Sequence, residues 1–546
     1  MTEKEKAHIT SIRSKNCLRL CSAIHSNTIS SLNIVINICT KRVKMKALFL
    51  LLQGLMQLKA ALSAEQTVPL SCSVEEKGGS DPALKEMSFD LGDGPEKFMA
   101  YVQPDVTTFY KDIDAPASTA VTPKYNGMAG MFINMSKEPV RLFWEASVGG
   151  ARSLIDVLDP FSAGGTATFP THSFIFTALK DESKVLHRFT VGSNSNDNVY
   201  AYDPYHIEGD SKKTEDNLKR ELEGEELESY RKLRKSYRFG KLYKNFTGRS
   251  YLVNYPRSQP SHFMWRADHF NQTHWITTRE THFLSMPPKE KLSRITARGR
   301  SRALREDEPR LLLEYRSSEP LLNMTLKVLS CAPRAFEIKN FLSPIEVQHM
   351  LQIASGEDLS LSQTGIGGSE DGEDAGVAGT RTSYNSWLKR ERSPILDAIY
   401  RRAADLLRID EALLRDRGDG EHPNLDSDIS LAEQLQLVHY GKEQEYQAHH
   451  DFGYNSIDDP WQAQRYSTIL LYLNEGMKGG ATVFPRWVNA ETFDALKVIP
   501  EIGKAVLFYS QLPDGNMDDL SQHEAQKLFD GEKWLTNLWV WDPAYE

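Results

Sequence analysis

The sequence predicts a mixed α and β protein in which a small β-sandwich precedes a C-terminal jelly roll that is backed by helices. Short β-type segments, separated by clusters of Gly, Pro, Ser and Asn, fill residues 98–203, and this spacing is typical of an antiparallel sandwich. Beyond residue 331, segments with helical periodicity are followed by the β-type segments QLQLVHY, STILLYL, ATVFP, KAVLFY and KWLTNLWVW. Helices followed by a series of strands are typical of a helix-backed barrel or sandwich such as a jelly roll.

Length and composition limit the architecture and the partners. The 546 residues are too many for one core, so two or three domains are expected. The net charge of -9 and the lack of a wholly basic domain argue against a nucleic-acid partner. No uncharged apolar run reaches the roughly 18 residues that a membrane-spanning helix needs, so the sequence predicts no membrane span.

The N-terminal residues predict a leader and a signal peptide. Residues 1–44 are polar and basic, and we expect a disordered upstream extension there. Met45-Lys46 then precede a short apolar core that ends in small residues before Glu65, so residues 45–64 are predicted to be a signal peptide with Met45 as the start. A disordered leader or an organelle transit segment is the alternative. The signal peptide predicts the secretory pathway, in the lumen of the endoplasmic reticulum or Golgi.

Cysteines and glycosylation motifs bear on the same prediction. Removal of the leader would leave Cys72 and Cys331, which could form one disulfide or stay free. Sequons at four positions support a secreted glycoprotein. They are Asn134, Asn245, Asn271 and Asn323.

Residues 65–95 are polar and Gly-rich and are predicted to be a mobile lead-in to the sandwich. Within residues 98–203, the segments FINMSKEPVRLFWEA and PFSAGGTATFPTHSFIFTA resemble the β-domain of the von Hippel–Lindau family, which recognises hydroxyproline. The resemblance places Trp144, Thr168, His172 and Phe174 near such a pocket, although Phe174 stands where that family has tryptophan. The alternative is that these residues are ordinary core and loop residues of a sandwich.

Residues 204–330 are predicted to be a helical and irregular linking region. Both charge signs alternate at helical spacing in residues 210–245, which favours a solvated helix. The basic segment 289–305 is interpreted as a linker.

The C-terminal domain is predicted to span residues 331–546. Ser343 can cap a helix that begins at Pro344, and Glu346 can complete a capping box. Residues 364–379 are rich in Gly, Asp and Ser and are predicted to be a mobile loop. A second helix is expected to start at Ser393-Pro394, before the strand-like segments.

The chemistry-bearing residues cluster in these last segments. His449 and Asp451 are two residues apart in an extended segment, so their side chains are predicted to share one face. The even spacing of Lys533, Asn537 and Trp539 predicts a second shared face. With His523, two imidazoles and a carboxylate can bind iron and leave coordination positions open for reactants. A hydrogen-bonded His–Asp pair without metal is the simpler alternative.

Five separate motifs resemble those of the prolyl 4-hydroxylases, a family of iron(II)- and 2-oxoglutarate-dependent dioxygenases with a double-stranded β-helix. The resemblance covers residues 331–543, including the segment Arg381-Thr382-Ser383 in the upstream loop. The matching segments are YG at 440–441, YQAHHD at 446–451, RYST at 465–468, GGATVFP at 479–485, and His523 with Lys533. The sequence departs from the family at Gln447, Ala448 and His450, in an insertion of about a dozen residues after Pro485, and at Leu538, where a basic residue is usual.

The resemblance implies a role for each matched residue. It implies Fe(2+), 2-oxoglutarate, O2 and ascorbate as cofactors, with the metal ligands His449, Asp451 and His523. Lys533 would bind the far carboxylate of 2-oxoglutarate, helped by hydrogen bonds from Thr482 and Tyr440. Tyr446, Arg465 and Trp539 would line a groove for a proline-rich peptide, whose polyproline II shape suits aromatic grooves.

Several functions remain open at this point. The leading hypothesis is hydroxylation at the 4-position of peptidyl proline in proline-rich or collagen-like secretory proteins. A second is a 2-oxoglutarate-dependent hydroxylase of another side chain such as lysine. A third is a hydroxyproline-binding protein in which residues 98–203 recognise the modified residue and the oxygenase domain is inactive. A zinc hydrolase with the same ligands is the fourth, but it leaves Lys533 unexplained.

Overall fold

In the computed structural model, the described residues lie within the unit Ser73–Glu546. The described residues are 81–111, 124–192, 198–257, 259–279, 282, 321–363, 380–418, 420–422, 425, 427–453, 464–489 and 494–542. The predicted upstream extension, the signal peptide, Cys72, the basic segment 289–305 and the loop 364–379 lie outside them. No helix in the described ranges is long and apolar enough to cross a membrane.

A hairpin, seven strands and two helices make up the first part of the described chain. The hairpin strands are β1 (Leu84–Asp90) and β2 (Pro95–Tyr101). The strands that follow are β3 (Met128–Asn134), β4 (Val140–Glu145), β5 (Arg152–Leu158), β6 (Ser162–Thr168), β7 (Ser173–Ala178), β8 (Asp181–Thr190) and β9 (Val199–Tyr202). The helices are α1 (Ser211–Glu221) and α2 (Gly224–Thr247).

Strands β3 to β9 form the predicted β-sandwich. One sheet has the order β6-β3-β9 and the other β5-β4-β7-β8. Between them the aromatic rings of Phe132 and Phe174 pack with centroids 4.5 Å apart. Thr168 and Phe174, two of the predicted pocket residues, are fully buried, so they serve the packing of the sandwich. Trp144 and His172 are partly exposed, with ring centroids 5.8 Å apart.

The hairpin and α2 correct two predictions. Residues 84–90, predicted as part of a mobile lead-in, form a paired strand. Helix α2 is not solvated, because Tyr230, Leu233, Phe239 and Tyr243 are buried along one face. These side chains share one core with strand β3 of the sandwich and with Phe452, which follows the predicted metal-ligand segment. Apolar side chains spaced three to four residues apart form one face of this helix. The many charged residues between them obscure that pattern in the sequence.

The C-terminal part is a jelly roll backed by helices, which confirms the predicted fold class. The elements are β10 (Thr273–Arg279), β11 (Leu321–Cys331), β12 (Arg334–Ile338), α3 (Pro344–Ala354), β13 (Ser360–Leu361), β14 (Tyr384–Leu388), α4 (Pro394–Leu407), β15 (Leu435–Tyr440), β16 (Tyr446–His449), β17 (Arg465–Tyr472), β18 (Lys478–Gly479), β19 (Thr482–Phe484), β20 (Leu496–Val498), β21 (Ala505–Tyr509), β22 (His523–Ala525), β23 (Leu528–Asp530) and β24 (Lys533–Trp541).

Two facing sheets contain these strands except β18 and β23, which pair with each other. The larger sheet has the order β10-β11-β12-β21-β17-β24-β15-β14-β13, and the smaller one β16-β22-β19-β20. Strands β10 and β11 lie in the segment predicted as a linking region, yet they pair with each other and with β12 in the larger sheet. This sheet therefore begins upstream of residue 331.

Side chains that alternate in direction along the strands of the larger sheet contribute to two separate cores. Leu437 and Leu538 point to the side that α3 and α4 cover, whereas Val438 and Leu535 point between the two sheets. Because side chains alternate along a strand, the apolar residues of β15 and β24 supply both cores. Tyr440 and Lys533 lie on the same faces of their strands as Val438 and Leu535, so their side chains also point between the two sheets.

Both predicted helix starts are confirmed. Ser343 and Glu346 form a reciprocal capping box at α3, and the Ser393 side chain accepts a hydrogen bond from the backbone N–H of Leu396 at α4. Glu346 also accepts hydrogen bonds from the buried guanidinium of Arg402, at 2.6 and 3.0 Å. This ion pair joins the two helices.

We expect Glu346→Ala to lower the free energy of unfolding by about 3–5 kcal/mol, because removal of one partner leaves a buried charge without its counter-ion. Chemical denaturation measures this change. Glu228→Ala is the matched control, since the Glu228–Lys232 pair is exposed and is worth less than about 0.5 kcal/mol. Equal effects of the two substitutions would contradict the expectation.

The sequons differ in accessibility. Asn134 is buried, and its side-chain amide donates hydrogen bonds to the carbonyls of Glu138 and Asp159. The folded protein therefore offers no accessible amide at Asn134, whereas Asn245, Asn271 and Asn323 are exposed. Cys331 is buried as a free thiol, and burial raises its pKa.

The sandwich meets the jelly roll at the carboxylate of Asp519. This carboxylate accepts hydrogen bonds from the backbone N–H of Ala129, at 2.8 Å, and from the side chain of Asn198, at 3.3 Å, both in the sandwich. On the jelly-roll side it pairs with Arg486 at 2.6 Å and lies 3.2 Å from the Nε2 atom of His450. Arg486, the first residue of the predicted insertion after Pro485, thus binds the carboxylate that joins the sandwich to the jelly roll.

Candidate metal centre

The two histidines lie directly opposite each other on neighbouring strands of the smaller sheet. Strand β16 ends at His449 and strand β22 begins at His523, and these two residues are antiparallel partners. Asp451 follows two residues after His449, beyond the end of β16. The sheet register therefore brings together residues that are more than 70 positions apart in the chain.

Their ligand atoms form a compact set. The Nε2 atom of His449 lies 3.8 Å from Oδ1 of Asp451, and the Nε2 atom of His523 lies 3.7 Å from Oδ2. All three ligand atoms lie within 4.8 Å of one another. Metal–nitrogen bonds of about 2.0–2.1 Å match a set of this size, so the three residues can share one ion.

Hydrogen bonds orient both imidazoles toward that common point. The Nδ1 atom of His449 lies 2.8 Å from the carbonyl oxygen of Gln447, and that of His523 lies 3.1 Å from the carbonyl oxygen of Ser521. Since a carbonyl only accepts, each Nδ1 carries the proton and each Nε2 presents a lone pair. Burial lowers the pKa of both histidines, which keeps them neutral as metal binding requires.

Two donors hold the carboxylate of Asp451. Thr468 donates from Oγ1 to Oδ2 at 2.7 Å, and Trp539 donates from Nε1 to the same oxygen at 3.1 Å. Burial alone raises the pKa of Asp451, but the charges of His523 and His449 when they are protonated, the charge of Arg465 and the Thr468 hydrogen bond outweigh it and lower the pKa below its ordinary value. The group is therefore an anion that can bind a cation.

Lys533 lies between the two sheets as a buried amine. The side chain is 1% exposed, and its Nζ atom has no hydrogen-bond partner among the described residues. Burial lowers the pKa of Lys533 from 10.5 to about 7. A buried ammonium has three donors to satisfy, so this position is suited to an anionic ligand.

Aromatic rings and a glycine shape the space around Lys533. The Nζ atom lies 5.3 Å from the ring centroid of Tyr440 and 5.8 Å from that of Tyr472. Tyr472 donates to the Oγ1 atom of Thr482 at 2.7 Å. Gly480 has a φ of +69°, and a Cβ atom there would lie 3.4 Å from Cδ of Lys533 and 3.0 Å from Leu528. The structure thus brings Tyr440, Thr482 and Lys533 into one pocket.

Tyr446 stacks on a metal-binding residue. Its ring lies 3.5 Å from that of His449, nearly parallel at 16°. The guanidinium of Arg381 lies 4.6 Å from the ring of Tyr446. Burial raises the pKa of Tyr446 to about 12. Tyr446 therefore lies at the metal centre, as a neutral side chain.

Arg465 and Trp539, which are predicted to line a peptide groove, are both buried near Asp451. Arg465 is buried and binds Glu433 through Nε at 2.6 Å and Nη2 at 2.9 Å. Its guanidinium lies 4.0 Å from the ring of Trp539. Trp539 donates to the metal-binding residue Asp451, and the peptide contacts of Arg465 and Trp539 stay predictions.

Sequence reasoning assigned no role to Glu433, Thr468 or Tyr472. Thr468 and Tyr472 could have been found, because they lie four residues apart on β17 and alternation points both between the sheets. No sequence pattern pointed to Glu433, because it precedes β15 and contacts Arg465 only in the folded protein.

Comparisons with known proteins show which family the chain is similar to. A family model described as 2OG-Fe(II) oxygenase superfamily matches residues 435–541. Probable prolyl 4-hydroxylase 3 of Arabidopsis thaliana is 31% identical over 226 residues, with 39% of this chain and 71% of that protein covered. Prolyl 4-hydroxylase subunit alpha-1 of Gallus gallus is 29% identical over 218 residues, with 39% of this chain and 37% of that protein covered. Among solved structures, the viral collagen prolyl hydroxylase of Paramecium Bursaria Chlorella virus-1, as a 2OG complex, has a TM-score of 0.28 at 21% identity, covering 38% of this chain and 95% of that chain.

Proposed function

Because this chain belongs to the prolyl 4-hydroxylase family of iron(II)- and 2-oxoglutarate-dependent dioxygenases, we propose that it hydroxylates peptidyl proline at the 4-position in proline-rich or collagen-like proteins. The observation that carries the proposal is a pocket with two ends. One end holds the His449, Asp451 and His523 ligand set. The other holds Lys533, whose Nζ atom has no hydrogen-bond partner among the described residues. A 2-oxo dicarboxylate is a ligand whose two ends would satisfy both.

The residues of the pocket would have different roles. His449, Asp451 and His523 would hold iron(II), which when bound with O2 couples oxidative decarboxylation of 2-oxoglutarate to hydroxylation of a C–H bond. Lys533 would bind the far carboxylate as a charge-assisted partner, with Tyr440 and Thr482 beside it. Ascorbate, as the reductant that restores iron(II), completes the proposed cofactor set.

A peptide substrate is proposed from the relatives and from the site. The relatives carry names of prolyl 4-hydroxylases, and Tyr446 offers an aromatic surface beside the metal centre. Proline-rich chains are preorganised as polyproline II helices, which lowers the entropy cost of binding to aromatic surfaces. Residues 45–64 and the three exposed sequons support a secretory-pathway location as part of the same proposal.

Turnover with a peptide panel tests the proposal. Purified protein with iron(II), 2-oxoglutarate and ascorbate is given proline-rich, collagen-like and lysine-containing peptides. We expect succinate release coupled to the gain of one oxygen atom, which mass spectrometry places on proline. Oxygen on lysine would support the alternative hydroxylase, and no succinate with any peptide would refute both.

A second proposal concerns the sandwich. The indole nitrogen of Trp144 is buried without a hydrogen-bond partner among the described residues, and it belongs to a partly exposed ring beside His172. A peptide acceptor such as hydroxyproline could bind there. With His523→Ala to prevent turnover, tighter binding of hydroxylated than of unmodified peptide would support this reading, and equal affinity would count against it.

We expect the affinity for 2-oxoglutarate to fall as the pH rises above about 7. The pKa of Lys533 is lowered to about 7, so the free pocket loses its charge above that pH. The dianion requires the protonated lysine, so binding takes up a proton there and weakens by up to about tenfold per pH unit. Calorimetric titration of the anaerobic iron(II) protein across this range measures the effect. An affinity that is constant or rises above about pH 7 would contradict it.

A further inference from the structure

We propose that Asn323 carries an N-linked glycan and that the first sugars of this glycan pack on the exposed indole of Trp275. The inference rests on the secretory location that is part of the proposed function, and it goes beyond that location by assigning a modification site and its contact on the folded protein. The glycan covers the outer face of strands β10 and β11, at the edge of the larger sheet.

Strand β10 is the edge strand of the larger sheet, because its only strand partner among the described residues is β11. Its two faces differ in burial. Ile276 and Thr278 are buried, whereas Thr273, Trp275 and Thr277 are exposed. Since side chains alternate along a strand, one face of β10 belongs to the protein interior and the other faces solvent.

The solvent face of β10 carries a large apolar side chain. Trp275 is 69% exposed, more than any other tryptophan in the described part of the chain. Residues 273–278, THWITT, include no Lys, Arg, Asp, Glu or Pro, which are the residues that commonly keep an edge strand from pairing with another chain. An uncharged, β-prone edge strand of this kind is an aggregation site unless something covers it.

The sequon of Asn323 lies beside Trp275 on the same face of the sheet. Asn323 is the antiparallel partner of Thr277, and Thr325 is the partner of Trp275. Asn323 and Trp275 are therefore diagonal neighbours on two paired strands. Such neighbours lie roughly 7–8 Å apart, within reach of a long side chain, and a sugar attached to the asparagine reaches further still.

The side-chain amide of Asn323 is oriented through its oxygen. Thr277 donates from Oγ1 to Oδ1 of Asn323 at 3.1 Å, and both Asn323 and Thr325 are exposed. N-glycosylation uses the other atom of the amide, Nδ2. The Nδ2 atom attacks the anomeric carbon of a lipid-linked oligosaccharide, so that a C–N bond forms, the C–O bond to the lipid diphosphate breaks, and one amide proton is released. The folded protein has room for the product on this face.

The indole of Trp275 suits a sugar ring. A sugar ring has faces made largely of C–H groups, and an indole offers a large and rigid apolar surface. Contact between the two removes apolar area from water, which is favourable. The glycan of Asn323 thus covers the large apolar side chain that the edge strand exposes.

Asn271 is the competing sequon. It lies four residues before Trp275, which corresponds to roughly 13 Å of extended chain. It also precedes β10 and has a φ of 62°, so alternation along the strand does not place its side chain on the face of Trp275. The geometry therefore favours Asn323 as the origin of the contact.

Hydroxyl-radical footprinting of the full chain, secreted from eukaryotic cells, tests the proposal. Mass spectrometry of one sample gives both the glycan occupancy of each sequon and the oxidation rate of Trp275. The test variant is Asn323→Gln, which keeps an amide and removes the sequon. Asn271→Gln removes the competing sequon, and Asn245→Gln on helix α2 is the matched control.

We expect a glycan at Asn323 in the wild-type protein. In Asn323→Gln the oxidation rate of Trp275 should rise several-fold, because the indole is 69% exposed without a glycan. Asn271→Gln and Asn245→Gln should keep the wild-type rate. Light scattering during heating should show earlier aggregation of Asn323→Gln than of the two other variants, while succinate release stays at the wild-type level.

Glycans at Asn245 or Asn271 without one at Asn323 would overturn the proposal. Equal oxidation rates of Trp275 in the wild type and in Asn323→Gln would also overturn it, since another part of the chain or a second copy would then cover the indole, or nothing would. A protein without a glycan at any sequon would refute the secretory location together with this inference. Failure of succinate release would refute the proposed activity and leave the glycan comparison unaffected.

Discussion

The His523→Ala variant is expected to show no detectable turnover. Its iron(II) affinity should fall by more than the roughly 10–100-fold that is typical when a hydrogen-bond partner of a metal ligand is lost. His523 supplies one of three ligand atoms, all within 4.8 Å of one another. Alanine leaves one imidazole and one carboxylate, which cannot complete the facial set that this chemistry uses. The side chain is buried and contacts the rings of Phe508 and Phe484, so a small cavity accompanies the loss.

Succinate release and anaerobic iron titration measure this effect, and thermal unfolding shows whether the variant folds. His439→Ala is the matched control, because His439 pairs with the exposed Glu532 away from the ligand set. We expect wild-type turnover from the control. Substantial turnover by His523→Ala would refute the assignment of the metal centre.

The Lys533→Met variant is expected to bind 2-oxoglutarate much more weakly while it keeps its iron affinity. Methionine retains an unbranched apolar side chain of similar length and removes the ammonium. Loss of one partner of a buried charge pair costs about 2–5 kcal/mol, which corresponds to roughly 30-fold to several-thousandfold in the dissociation constant. The variant should also be at least as stable as the parent, because the free protein buries this ammonium with no hydrogen-bond partner in the described part of the chain.

Lys478→Met is the control for Lys533, since Lys478 is exposed in its pair with Asp530. The dissociation constant for 2-oxoglutarate, the iron affinity and the free energy of unfolding are measured for both. Unchanged binding of 2-oxoglutarate by Lys533→Met would exclude the lysine as the carboxylate partner. Equal loss of iron affinity would instead indicate a collapsed pocket.

The strands and helices of the jelly roll could be predicted because local patterns match their surroundings. The segments of β15, β17 and β24 are apolar on both faces, since one face meets the helices and the other meets the opposing sheet. The capping residues of α3 and α4 are local signals. Strands β10 and β11 were missed because their assignment depends on pairing with β12, which no local pattern shows.

The residues of the site also differ in how far the sequence could predict them. His449, Asp451, His523 and Lys533 belong to motifs with fixed spacing, so the sequence could single them out. The surroundings of Arg465 could not be predicted from its motif. Its partner Glu433 lies 32 residues earlier, and only the folded arrangement shows that the arginine turns toward a carboxylate behind Asp451. Contacts over such distances follow from the tertiary fold, which motif matching does not describe.

The Asp519 junction has a consequence for how the protein folds during synthesis. Ala129 leaves the ribosome 390 residues before the carboxylate that it binds, and Asn198 leaves 321 residues before it. These two donors of the sandwich therefore have no Asp519 carboxylate to bind until almost the whole chain has been made. Contacts of such long range slow folding, and exposed surfaces on early intermediates invite aggregation. The contact between His450 and the same carboxylate likewise forms only after residue 519 has been made.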